Sequence, residues 1–127
     1  MKRDGLLHAQ LNEQIARLGH TDTFVIGDRG LPVPSGVDCV DLAIIPGLPS
    51  FADVLGAVLR EVDVEAAVVA QEAETSPVRE VLARNLPDAQ RIPHEEFKEL
   101  TRQARFVVRT GESTPYANVI LRCGVPF

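Results

Sequence analysis

Strand-length apolar runs alternate along this chain with segments whose apolar residues recur at helical spacing, and that alternation restricts the fold more than any other feature. Thr23–Gly27, Cys39–Ile44, Glu65–Ala70, Arg105–Arg109 and Asn118–Cys123 read as strands, with a weaker run at Ala89–Pro93. Between the first runs, Leu11, Ile15 and Leu18 fall at i, i+4 and i+7 in a helix over residues 9–18 that Gly19 closes. Ser50 caps a second helix, Phe51 to about Glu61, striped by Val54, Leu55, Val58 and Leu59. Ser76-Pro77 offers an N-cap followed by proline at the first helical position, opening a helix to about Asn85. His94–Leu100 fits a short helix with acids in its first turn. Strands alternating with helices build an α/β layered fold around a largely parallel sheet. The last two runs are joined only by Thr110–Ala117, which makes the sheet mixed. The expectation is one three-layer α/β/α domain over residues 1–127 with a mixed, largely parallel sheet of about six strands. Glu65–Ala70, apolar after its first residue, is expected to be a central strand covered on both faces.

A chain of 127 residues buries one substantial core. Its net charge is −5 with both signs interspersed and no basic run, which argues against nucleic-acid binding. No run approaches the ~18 apolar residues of a membrane span, and residues 1–8 lack the apolar stretch of a signal peptide. A cytoplasmic protein is expected. Cys39 and Cys123 lie far apart without a CxxC partner, so two reduced, buried thiols are expected rather than a disulfide or zinc site.

Candidate chemistry concentrates in two stretches. The first, Gly19-His20-Thr21-Asp22-Thr23 running into Asp28-Arg29-Gly30-Leu31-Pro32-Val33-Pro34, places a histidine and two aspartates at opposite ends of one short strand. Loops on a rigid scaffold are where catalytic groups are carried, and a carboxylate two residues from His20 would orient its ring. The second, Arg109–Asn118, holds the single tyrosine, Tyr116, beside Asn118. An aromatic hydroxyl next to an amide suits a polyhydroxylated ligand; a hairpin loop whose tyrosine caps the core is the alternative. His8 reads as a solvated residue near a helix start and His94 as a polar residue at another. His20, Asp22, Asp28, Asp38 and Asp41 supply metal donors, but no spacing matches a ligand signature, and Gly27, Gly30 and Gly36 match no nucleotide-binding loop.

Taken together, GHTDT, a strand, D-x-GLPVP, PGLPSF, RTGESTPYANVIL and a terminal GVPF resemble the D-ribose pyranase / L-fucose mutarotase family from about Leu6 to Phe127. Thr21, Thr23 and Gly30-Leu31-Pro32 favour its ribose branch. The segment between Glu72 and Ala89 is shorter than in many members. The resemblance implies an enzyme that interconverts cyclic forms of free D-ribose, chiefly β-pyranose and β-furanose, without cofactor or metal. It implies His20 as catalytic acid, with Asp22 or a backbone group orienting it. Asp28, His94, Tyr116, Ala117 and Asn118 would bind the sugar, and Lys98, one turn after His94, is a weaker addition. It also implies a homo-oligomer, a decamer, with sites near subunit contacts. A mutarotase for fucose or another sugar, and a non-catalytic accessory protein of pentose uptake, are the rival readings.

Overall fold

The computed structural model describes residues 1–127. The chain runs through α1 (Ala9–Ala16), β1 (Thr23–Gly27), β2 (Asp38–Asp41), α2 (Phe51–Leu59), β3 (Val64–Ala70), α3 (Arg79–Asn85), β4 (Gln90–Ile92), α4 (His94–Leu100), β5 (Phe106–Arg109) and β6 (Val119–Cys123). Short 3₁₀ turns follow β3 and α4. The strands form one sheet in the order β2-β5-β1-β6-β3-β4. Pairings β1·β5, β2·β5 and β3·β4 are parallel, and only β6 runs against its neighbours, β1 and β3.

Period-two alternation along the buried strands divides the core in two. Phe24 and Ile26 of β1 and Phe106 and Val108 of β5 face the larger cluster, which takes Leu11 from α1, Phe51, Val54, Leu55 and Val58 from α2, and Leu82 from α3. Phe24 and Phe106 stack there with centroids 5.1 Å apart. Val25, Val107 and Ile120 face the other way, onto Phe97 of α4. Helices therefore cover both faces, three on one and one on the other, as a three-layer fold requires.

Local chemistry sets the helix ends. His8 is the N-cap of α1, its Nδ1 accepting from the Leu11 N–H at 3.2 Å, so this histidine is structural. The Ser50 hydroxyl accepts from the Asp53 N–H at the start of α2 as expected.

Four expectations shift. β2 stops at Asp41 because the Asp41 carboxylate accepts from the Ala43 N–H and turns the chain outward. The following loop closes on itself, Ile44 N–H to Leu48 O, and docks through Gly47 N–H to Gly111 O. Ser76 does not cap α3, which begins at Arg79; its hydroxyl donates instead to Pro115 O at 2.7 Å. The 110–117 connection is not a hairpin, because β1 lies between β5 and β6. β3 is interior in the sheet, yet Glu65 and Ala66 are exposed, so only its C-terminal half is covered on both faces.

Candidate functional site

Because β1 runs parallel to β5 and antiparallel to β6, the end of β1 and the start of β6 share one edge of the sheet. Asp28 leaves β1 there and Asn118 enters β6. They form a reciprocal pair: the Asp28 N–H donates to Asn118 Oδ1 at 2.8 Å, and Asn118 Nδ2 donates to Asp28 Oδ2 at 3.0 Å. Asn118 is 1% exposed, and its two polar atoms fix Asp28, Oδ1 through the backbone N–H and Nδ2 through the carboxylate. The other oxygen, Asp28 Oδ1, accepts from the Gly30 N–H at 2.9 Å. Gly27 makes the approach possible: a Cβ there would sit 2.9 Å from Asn118 Oδ1 and 2.7 Å from Leu31 Cδ2.

Tyr116 stands beside this pair with φ of 64°, a left-handed conformation unusual for a tyrosine. Such strain persists only where surroundings over-determine it and clusters at functional sites. The surroundings here are explicit. Glu112 Oε1 accepts from the Phe51 N–H at the start of α2, its Oε2 accepts from the Thr114 hydroxyl, and its carbonyl accepts from the Arg29 N–H. Ser76 pins Pro115, and Ala117 is fully buried behind the tyrosine.

His94 completes the corner. Its ring lies edge-on to Tyr116 at 5.1 Å and parallel to Phe97 at 6.0 Å. α4 has no side-chain cap of its own at Pro93, and Glu72 supplies one, both carboxylate oxygens accepting from the His94 N–H at 2.9 and 3.2 Å. His94 Nδ1 is buried without a partner, and Nε2 makes no hydrogen bond within the chain. Lys98 does not join the group: it pairs with Glu95 at 2.7 Å and lines a separate cleft with Pro32 and Pro34. Its ammonium, by hydrogen bond and charge, holds the Glu95 carboxyl below the usual range.

His20 lies at the other end of β1. Five strand residues separate the two ends, about 17 Å at ~3.3 Å each, which no side chain bridges. Its surroundings also differ from expectation. Asp22 does not orient it; the Asp22 carboxylate accepts from the Gly19 N–H at 2.9 Å and lies 3.6 Å from Arg105 Nε. Glu65 takes that place, with Oε2 3.1 Å from His20 Nε2 while Oε1 lies 3.0 Å from Arg122 Nε. Thr21, next to His20, is the second non-glycine residue with positive φ, at 70°. The loop is anchored to the end of β6 by Thr21 N–H to Cys123 O and Cys123 N–H to Asp22 O.

The structure thus brings together Asp28, His94, Tyr116, Ala117 and Asn118 and leaves His20 on the opposite edge. Glu65, Glu72, Glu112 and Arg122 were not singled out in the sequence. Only Glu112 carried a signal, as the acid inside the RTGESTPYAN string. No group of three or more His, Cys, Asp or Glu side chains is arranged to hold a metal ion. Cys39 and Cys123 are free thiols, and burial pushes both above the usual thiol range.

A single α/β domain with a six-stranded mixed sheet defines a class that solved structures share. The structure of Bacillus subtilis RbsD complexed with D-ribose superposes with a TM-score of 0.93 over 100% of both chains at 45% identity. The fucose mutarotase of Streptococcus pneumoniae, in complex with L-fucose, shares the fold at a TM-score of 0.82 and 19% identity over 95% of each chain. A D-ribose pyranase of Paracidovorax citrulli is 59% identical over 100% of both chains. The chain belongs to the RbsD / FucU transport protein family, whose model matches residues 1–126.

Proposed function

We propose that this chain is a cofactor-independent isomerase that opens and recloses the ring of free D-ribose, interconverting β-pyranose and β-furanose. The observation that carries the reading is the Asp28–Asn118 pair beside Tyr116 and His94, a rigid set of hydroxyl-binding groups. The same corner motifs lie within a chain 59% identical to a protein named D-ribose pyranase.

The chemistry needs little machinery. A proton reaches the ring oxygen as the bond from C1 to that oxygen breaks, and the anomeric hydroxyl gives a proton to water as the C1 carbonyl forms. The open aldehyde rotates, another hydroxyl attacks C1, and the protons are returned. His20 serves as the acid, since imidazole exchanges protons in both directions near neutrality. Asp28, His94 and Tyr116 hold the hydroxyls, Asn118 enters the binding site by fixing Asp28, and Ala117 gives the tyrosine its buried backing. A positioned acid of this kind contributes about 10²–10⁴-fold.

Since His20 stands about 17 Å away along its own chain, it acts on the sugar bound by a second copy. Two unpartnered apolar groups favour such head-to-tail packing. Ile44 (74% exposed), Ile45 and Leu48 lie on the loop docked to Gly111 at the sugar-binding edge. Val125 and Phe127, the latter fully exposed, follow Cys123 at the His20 edge. A repeated head-to-tail contact makes a ring when its rotation closes, and a closed ring is the assembly proposed here. Decameric assembly, a cytoplasmic location and a role in ribose catabolism belong to the same proposal.

Saturation-transfer NMR on free D-ribose tests it. Catalysed pyranose–furanose exchange that falls to the buffer rate in His20→Ala is the expected result. Ribose binding by calorimetry without any exchange above buffer would instead make this a binding protein, and faster exchange on fucose would make it a mutarotase for that sugar.

A further inference from the structure

We propose that Glu65, braced by Arg122, is a positioning residue for His20 that holds its Nε2–H and directs proton transfer through Nδ1. The inference rests on the reading of His20 as the acid and adds to it the group that sets its tautomer.

Three features aim this carboxylate. The β3–β6 register pairs Val64 with Cys123 and Ala66 with Arg122, leaving Glu65 as the extra residue of a β-bulge. A bulge re-aims a side chain at the cost of ladder hydrogen bonds. Gly124 makes room for it: a Cβ at that position would sit 2.7 Å from Asp63 Oδ1 and 3.3 Å from Glu65 Cβ. Thr21, in its left-handed conformation, turns the chain directly after His20. The outcome is a chain of contacts from Arg122 Nε to Glu65 Oε1 at 3.0 Å and from Glu65 Oε2 to His20 Nε2 at 3.1 Å.

Stability does not account for this expenditure of backbone regularity. His20 is 53% exposed and Glu65 37% at the side chain, and exposed pairs contribute little. What the arrangement does fix is proton location. A carboxylate on Nε2 keeps that nitrogen protonated in both charge states of the ring, so the proton given to the sugar and taken back is the one on Nδ1. Arg122 occupies the second carboxylate oxygen and keeps Glu65 from rotating away. Asp22 is committed to Gly19 and Arg105 and does not compete.

Glu65→Gln is the decisive variant. Its amide oxygen stays with Arg122, so its NH₂ faces His20 and requires a lone pair on Nε2, which moves the neutral ring's proton to Nδ1. Ring ¹⁵N NMR is expected to show the Nε2–H tautomer in the wild type and the Nδ1–H tautomer in the variant. The maximal exchange rate on D-ribose falls about tenfold, a fraction of the 10²–10⁴ available to a positioned acid, while KM stays within twofold. In a His20→Ala background Glu65→Gln has no further effect. An unchanged tautomer with an unchanged rate, or an additive loss in the double variant, overturns the role of Glu65 while leaving His20 in place. Full exchange in His20→Ala alone overturns the underlying reading instead.

Discussion

Asn118→Ala separates the roles of the sheet edge most sharply, because both polar atoms of this side chain act on one residue. The substitution removes a hydrogen bond to the Asp28 carboxylate, worth about 1.5–3 kcal/mol, and leaves the Asp28 N–H without its acceptor, at a further ~1–3 kcal/mol. Asp28 is half-buried, and water entering the vacated space restores part of this, so a net loss of about 3 kcal/mol is expected. Urea unfolding at fixed protein concentration reads it as a lower midpoint with an unchanged slope. The melting temperature falls by about 10 °C in a domain of this size. Ribose affinity measured by calorimetry falls as well, since Asp28 loses its fixed orientation. A stability loss below about 1 kcal/mol together with unchanged affinity would refute the reciprocal pair as the organising contact of the site.

Other consequences follow from the same geometry. Gly27→Ala drives a methyl into Leu31 and Asn118, and is expected to cost about 1–3 kcal/mol and to weaken ribose binding; denaturation and calorimetry on the one variant check both. Deleting Phe127 removes a fully exposed apolar side chain and is expected to lower the assembled fraction in analytical ultracentrifugation without unfolding the monomer. Burial raises both thiols, so at pH 8 iodoacetamide should modify Cys39 and Cys123 slowly in the native protein and rapidly in urea. As pH rises through the unfolded thiol range the unfolded chain ionises first, so these thiols make stability fall with rising pH until the folded thiols ionise too.

The layered α/β fold was legible because most of its elements have local causes. β1 is an apolar run bounded by polar residues, and α1 and α2 carry their own caps. Misplaced boundaries trace to contacts distant in sequence. Ser76 leaves its helix for Pro115, 39 residues on, and β1 inserts between the last two strands. The candidate site divides in the same way. Asp28, His94, Tyr116 and Asn118 sit in recognisable strings, but the carboxylates that hold the two candidate regions in shape do not. Glu65 meets His20 across 45 positions, Glu112 meets Phe51 across 61 and Glu72 meets His94 across 22. A glutamate on a strand or turn has no local pattern that announces such a partner. Nor could periodicity reveal that His20 and Asp28, eight positions apart, stand at opposite edges of the sheet.

That separation makes the central claim testable by complementation. His20→Ala and Asp28→Ala subunits, each inactive alone, can be unfolded together and reassembled in equal amounts. If His20 of one copy serves the Asp28 edge of another, random mixing along a head-to-tail ring regenerates an intact site in about a quarter of positions. Exchange of D-ribose measured by saturation-transfer NMR should recover to about that fraction of the wild-type rate. A mixed assembly no more active than either parent would place both residues in the same copy and contradict the account.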